Sequence, residues 1–579
     1  MTDEQEIAPD DSTVVDAEIP SDESAGAEPE NELGGMVEER AATEGSSEGR
    51  RCPIEMGDSK LKCGRELHAA PDGLDEEPVC LMHSKDERKQ SWPLFGEFWR
   101  LFDQILEEAG EGEARFASFV FPEARLSGRT FRAICLFNGA TFTQNACFYE
   151  VTFAKAANFF DAKFAQGANF CFATFIGEAL LFSATFDQSA DFIGVEFRDK
   201  ARFSATTFYR HVNFGSASFF SKADFFHARF IGDAKFSRAA FASDVDYGFA
   251  TFERSIDFSS FKFPAKAIFE GATFRREARF EKTEFHKEVS WYNSRFLGSA
   301  EFRNTKFLSP DEAKPSAVFA LANFSRPREI TFDGLDLGRV MFHLCDISRC
   351  IFTPSVFWGK RDGNRGLLVF DEVLLSRQEP GEREFPELKP ESVAATYQQL
   401  KKNYDSRVDY GKGNNFHYGE MEMRRLAGPT EGLLLGLRRW RHRNLSFLNA
   451  YRVASDYGNN YIRPALLLIA SLVVAAALFP IFGLDPSRPP NAASKTFAEV
   501  STRYSNVWNK PSTWSNNLWT EAKLGGKSLI TSIDTATLQR NPEYAPAYPW
   551  GRVIGIVETL LTSTLFGLFL LAIRRQFKR

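Results

Sequence analysis

Between residues 132 and 307 the apolar positions fall on two interleaved series, each with a period of eleven. One series holds Phe142, Phe153, Phe164, Phe175, Phe186, Phe197, Phe208, Phe219, Phe230 and Phe241, and continues unbroken to Phe307. The other runs from Phe137 through Phe148, Phe159 and Phe170 to Phe302, with Leu181, Tyr247 and Trp291 replacing Phe. A small residue stands two before many of them, as at Ala140, Ala146, Ala157 and Ala162. Side chains two apart in a strand share a face, so the small residue and the ring point inward. The residues between, such as Asn158, Asn169, Asp191 and Arg202, point out. A period of eleven also suits an unwound helix. The small-x-Phe alternation and the abundance of Phe, Thr and Gly favour strand. Short strands with a corner every five or six residues therefore wind into closed coils of about 22 residues, stacked about 4.8 Å apart. Each buried Phe contributes on the order of 1.5–3 kcal/mol.

At both ends the spacing becomes a pure five: Phe121, Leu126, Phe131, and later Phe332, Leu337, Phe342, Ile347, Phe352, Phe357. From about 115 to 358 the sequence resembles the pentapeptide-repeat family. That resemblance implies a mainly β fold, a right-handed quadrilateral β-helix. The extra residue in alternate units implies looser corners. Residues 308–318, with Pro310 and Pro315, read as a loop. Open coil ends need covering. Leu94, Phe98, Leu101, Phe102 and Ile105 recur at helical spacing and predict a capping helix within 91–112.

After the repeats, Val393, Tyr397, Leu400 and Tyr404 mark one helix, and Phe416, Glu420 and Met423 a second. Together they predict a helical hairpin over 386–428, turning at Gly411 and Gly413. The run 416–425 resembles a segment that recurs in membrane-linked pentapeptide-repeat proteins. His417 and Glu420 read as a packed helix face rather than a metal pair. Residues 464–484 and 552–573 are long and apolar enough to span a bilayer. Arg438, Arg439, Arg441 and Arg443, in a basic juxtamembrane helix over 435–460, precede the first span. Arg574, Arg575, Lys578 and Arg579 follow the second. The positive-inside rule then puts both termini in the cytoplasm. The expected location is a cell membrane of the bacterial inner-membrane kind. Glu558, early in the second span, reads as reaching the interface.

The second half of this module resembles two-transmembrane ion channels. Residues 528–538 match a pore helix with Thr537 and Leu538 at its tip, and Gly551-Arg552 opens the inner helix. The resemblance implies several chains around one axis, a homo-tetramer. The Gly-based filter is missing: Gln539-Arg540-Asn541-Pro542 follows instead.

The chain has 579 residues and a formal net charge of -7, unevenly placed. Residues 1–50 carry 16 Asp or Glu against two Arg, with no aromatic residue, and predict a disordered acidic tail. Cys52, Cys63, Cys80 and His83, within a Cys/His region over 51–90, form a ligand set suited to closed tetrahedral zinc, with His68 as an alternate ligand. Cys135, Cys345 and Cys350 fall on the small inward slot. No nucleophile–base pair, phosphate-binding Gly loop or open metal site appears, so an enzyme is not expected. Some pentapeptide-repeat proteins mimic DNA, which needs a strong negative field. Residues 132–307 hold 22 Lys or Arg and 19 Asp or Glu, so no nucleic-acid mimicry is expected. The expected function is a membrane-anchored scaffold binding a protein partner on the β-helix sides. The alternative is a channel or channel-derived sensor gated by the β-helix.

Overall fold

The computed structural model describes residues 51–56, 61–69, 75–361, 366–377, 388–428, 435–482, 484–486, 529–535, 544–546 and 550–576. The acidic segment 1–50 and the pore-tip residues Thr537 and Leu538 lie outside the described residues. From Glu113–Arg115 to Ile351–Phe352 the chain forms a parallel β-solenoid of about eleven turns. One face is an 11-stranded sheet and another a 10-stranded sheet. Register steps by one coil of 22 residues, Phe164 on Phe186 and Ala168 on Ala190. In the pure five-residue stretch the coil shortens, so Phe332 pairs with Phe352. The loop predicted over 308–318 ends earlier, because Ala317–Val318 is already a strand on Val289–Ser290.

The alternation of five and six reflects two kinds of corner. On the five-residue side the corner is a hydrogen-bonded turn, such as Phe159–Ala162, where Ala162 N donates to Phe159 O at 3.0 Å. Its third residue is left-handed at nearly every repeat: Glu150, Asp161, Phe172, Ser183 and so on, with Gly only at some. An L-residue there costs about 1–2 kcal/mol. The cost is offset because the same residue's N–H donates to the next coil, as Asp161 N does to Phe182 O at 3.1 Å. Outward Asn and Asp residues hold the turn as well: Asn158 Oδ1 accepts from Phe160 N at 2.9 Å. The extra residue goes into the other corner, for example 154–156, where no local backbone bond forms.

Inside, rings stack in columns: Phe142 on Phe164 and Phe148 on Phe170, both at 4.6 Å between centroids. All of the first series from Phe142 to Phe296 is buried. Phe307 departs from the expectation and is only half-buried. Lys306–Phe307 is the last strand of its sheet, so no ring covers it. Phe357 departs further. It is exposed, and its neighbours Val356 and Trp358 turn inward instead. The last unit slips by one because Trp358 Nε1 donates to Tyr404 OH at 2.9 Å, which draws it toward the hairpin.

Two faces are interrupted at mid-height, between Ala234–Lys235 and Ile256–Asp257 and between Ala240–Phe241 and Lys262–Phe263. One coil earlier, Val212 N donates to Asp233 O at 2.9 Å and Phe214 N to Lys235 O at 2.7 Å. The matching amides of Ala234 and Phe236 make no such bond among the described residues. Pro264 supplies a cause: it has no N–H where Ala242 N donates to Phe219 O at 2.8 Å. The rings separate too. Phe241 and Phe263 are 5.8 Å apart, against 4.8 Å for Phe219 and Phe241. The opposite faces stay paired, so the seam is open on one side only.

The predicted capping helix is Leu94–Ala109, with Phe98, Phe102 and Ile105 buried. Phe102 stacks on Phe116 at 4.4 Å and Phe116 on Phe137 at 4.9 Å, so the helix extends a ring column. The hairpin helices are Pro390–Ser406 and Tyr410–Leu426. Their turn is Arg407–Asp409, not Gly411 and Gly413, which lie in the second helix. Asp409 caps that helix, its carboxylate accepting from Lys412 N at 3.1 Å. The glycines serve packing instead. A Cβ on Gly419 would sit 2.4 Å from the Tyr397 ring, and one on Gly413 2.4 Å from Asp405 Oδ1. An additional helix, Phe370–Arg377, was not expected. The basic segment divides into Leu435–Leu445 and Phe447–Ser455, broken where Ser446 caps the second.

Two helices, Ile462–Phe482 and Trp550–Gln576, are long and apolar enough to cross a membrane. A short helix, 529–535, packs against both. Ser532 Oγ donates to Leu472 O, halfway along the first apolar helix, at 3.0 Å and also contacts Glu558. Glu558 is therefore buried between helices, not at an interface.

Candidate metal centre

Residues 51–66 form a small antiparallel hairpin, with Arg51 opposite Glu66 and Glu55 opposite Lys62. Cys52 N donates to Arg65 O at 2.8 Å, which sets Cys52 beside Cys63. Gly64 follows with φ of 63°, the left-handed step that turns Cys63 inward. The other two ligands come from a turn: His83 N donates to Cys80 O at 3.0 Å.

This folding gathers Cys52, Cys63, Cys80 and His83, whose ligand atoms all lie within 4.8 Å of one another. Cys63 Sγ and Cys80 Sγ are 3.7 Å apart. His83 Nδ1 lies 3.2 Å from Cys80 Sγ and 3.4 Å from Cys52 Sγ. Tetrahedral zinc, with bonds of about 2.3 Å to sulfur and 2.0–2.1 Å to nitrogen, requires edges of about 3.8 Å and 3.6 Å. The observed edges fit. All the cysteines here are free thiols, so the disulfide alternative has no support among the described residues. His68 is not an alternate ligand, because its Nε2 is paired with Asp86 at 2.9 Å.

The surroundings suit a three-thiolate site, which keeps a negative charge after binding a divalent ion. Arg65 Nη1 donates to Cys63 Sγ at 3.1 Å. Lys89 is buried nearby, donating to Leu81 O at 3.1 Å and Val120 O at 2.6 Å, and burial pushes it down to about 7. Without an ion the thiols oppose one another: contact with Cys52 pushes Cys80 up while it holds Cys63 down.

The cluster is also tied to the first coil. His83 Nε2 lies 3.2 Å from Ala117 O, which leaves Nδ1 to face the thiols. Val120 N donates to Met82 O at 2.8 Å, and Gln90 Oε1 accepts from Glu123 N at 3.1 Å. Thus the cluster and its flanks pair the open edge of the first coil.

At the far end, side chains do the same task. On helix Pro390–Ser406, Gln399 accepts from Ile347 N at 2.9 Å, and Asn403 donates to Ile347 O at 3.0 Å and Cys350 O at 2.8 Å. Just beyond it, Arg407 donates to Phe352 O at 2.8 Å. The four-residue spacing places all three on one face. That spacing was a signal available in the sequence and not used above. His417 Nδ1 and Glu420 Oε2 are 3.4 Å apart, with Lys401 Nζ 3.1 Å from the same nitrogen, so a lysine occupies the place a metal would need. Burial pushes His417 down to about 4. Cys135, Cys345 and Cys350 are core residues.

Pentapeptide repeats, in nine copies, match residues 269–309 of this chain. Among curated proteins and solved structures, none matches. The chain carries pentapeptide repeats wound into a parallel β-solenoid, beside a Cys3His cluster and two helices long enough to cross a membrane.

Proposed function

We propose that the chain is a membrane-anchored scaffold without enzymatic activity, holding a stiff cytoplasmic β-solenoid against a lipid bilayer and binding a protein partner on the solenoid's sides. The observation that carries this reading is the joint between solenoid cap and second span. Arg575, at the end of Trp550–Gln576, donates to Asn414 Oδ1 at 3.1 Å and Tyr457 O at 2.6 Å. Asn414 lies in the hairpin that seals the last coil, and Tyr457 OH donates to Glu422 of the same hairpin at 2.8 Å. Asp456, Tyr457 and Gly458 are all left-handed, a tight turn that leads into the first span. A solenoid fastened in this way presents its faces at a fixed attitude to the membrane. Planar-bilayer recording of the purified full chain tests the reading. Silent bilayers are expected; unitary currents that vanish on truncation of the spans would overturn it.

Currents would favour the second reading, an oligomeric channel-derived sensor. The observation on its side is helix 529–535 set against the middle of the first span. Unpaired backbone at such depth is tolerated only inside protein or beside water, so a homo-tetramer is the natural assembly.

In both readings Cys52, Cys63, Cys80 and His83 hold one structural zinc that staples the cap to the first coil. Metal analysis of the full chain should find about one zinc per chain, lost in Cys80→Ser. Full retention of the metal in that variant would remove the cluster from consideration.

A further inference from the structure

Glu558 is an ionisable residue inside an apolar helix, and such residues face protein or water and are compensated there. It is only 4% exposed. One carboxylate oxygen accepts from Ser532 Oγ, and the other, Oε2, is buried with no hydrogen-bond partner. Charged groups on the elements around it are Arg552 on its own helix, Asp534 on helix 529–535 and Arg463 at the start of the first span. None of them ion-pairs with Glu558 among the described residues, and Arg463 pairs with Asp456 instead. The site is held from three sides. Ser532 Oγ also donates to Leu472 O at 3.0 Å, and Thr559 Oγ1 donates to Thr535 O at 3.1 Å. These bonds lock the short helix to both spans around the carboxylate.

A carboxylate with one oxygen satisfied and one bare, in a surrounding of low dielectric, needs a single positive charge at the bare oxygen. We propose that Glu558, positioned by Ser532, is an intramembrane site for one monovalent cation, either a proton or an alkali ion. The inference rests on the membrane-spanning reading of Ile462–Phe482 and Trp550–Gln576, but on neither the scaffold nor the channel reading.

The test is labelling of the full chain in lipid vesicles with dicyclohexylcarbodiimide, mapped by peptide mass spectrometry. In that reaction the acid proton passes to a carbodiimide nitrogen and the carboxylate oxygen bonds the central carbon. Only the protonated acid reacts, and a carboxylate held by an alkali ion does not. In choline buffer at mildly acidic pH, Glu558 should label about tenfold faster than exposed Glu150 on the solenoid. If a proton is the ligand, labelling falls as pH rises and ignores sodium and potassium. If an alkali ion is the ligand, adding that ion at fixed pH suppresses labelling. Ser532→Ala, which frees the other oxygen, should change the rate by about fivefold. Labelling no faster than that of Glu150 under every condition overturns the proposal. Retention of the chain in alkaline-washed vesicles checks the spans separately, so failure of the anchor and failure of the site are told apart.

Discussion

The solenoid has two open ends, and they are closed by different chemistry. The first coil is met by residues 51–90, where four metal-ligating side chains converge and backbone groups pair with the edge. The last coil is met by two hairpin helices, Pro390–Ser406 and Tyr410–Leu426, which bury an aromatic cluster of their own. Trp358 lies 5.2 Å from Phe416, and Tyr404 lies 5.5 Å from it. A small module cannot bury enough apolar surface to hold its shape, so it needs a staple. A larger helical cap supplies its own core and can spend polar side chains on the strand edge. The comparison teaches that cap size decides whether a metal is needed.

Removing the metal should break the comparison most strongly, because metal binding in such modules is largely their folding free energy. Chelation of the full chain, or Cys80→Ser, should raise hydrogen exchange at Val120 and Glu123 to near the rate of unfolded chain. The amides of Ile347 and Phe342 at the other end should stay protected. Equal protection at Val120 before and after chelation would mean that the cap does not depend on the ion.

The corresponding damage at the far end is a cavity. Phe416→Ala removes the ring between Trp358 and Tyr404 and should cost about 3–5 kcal/mol. Denaturant unfolding followed by Trp fluorescence measures it. Zinc content should not change. A loss below about 1 kcal/mol would show that the hairpin is not a core of its own.

A smaller effect comes from the polar face. Asn403→Ala leaves the carbonyls of Ile347 and Cys350 without their donor, at a cost of about 1–3 kcal/mol. Asn403→Asp should be worse, since it puts an acceptor against two acceptors. If both variants matched the wild type, water would have replaced the amide and the edge would need no side-chain cover.

These ends also show how far the sequence could be read. The solenoid was legible because each Phe from Phe142 to Phe296 occupies one repeated slot, and repetition makes a weak two-residue signal strong. The four metal ligands were legible by residue type, although only the fold shows that Arg51–Glu66 and the Cys80–His83 turn bring them together. The hairpin turn was misread at Gly411 and Gly413, because glycine marks close packing as readily as it marks a turn. Phe357 was misread because the period says nothing about Trp358 being drawn to Tyr404. Glu558 looked interfacial from its place in the span, and only the contact through Ser532 to Leu472 shows its depth.

The mildest test concerns a third kind of edge, within the body of the solenoid. At the Pro264 seam two faces lose their coil-to-coil bonds, and neither a metal nor a helix covers them. The gap persists because the other two faces remain paired and the interior rings still meet, Phe236 and Phe258 at 5.9 Å. Amides without a coil-to-coil bond should exchange faster. Ala234, Phe236 and Lys262 should therefore lose protection relative to Val212, Phe214 and Ala240, their counterparts one coil earlier. Pro264→Ala returns an N–H opposite Phe241 O, with a side chain no larger than the one at Ala242. It should slow exchange at Lys262 and add about 1 kcal/mol of stability. The arithmetic is modest because one bond is restored while the neighbouring amides still have to find theirs. Exchange at Ala234 and Phe236 as slow as at Val212 and Phe214 in the unaltered chain would close the seam as a feature of the fold, and the solenoid would then have only its two capped ends.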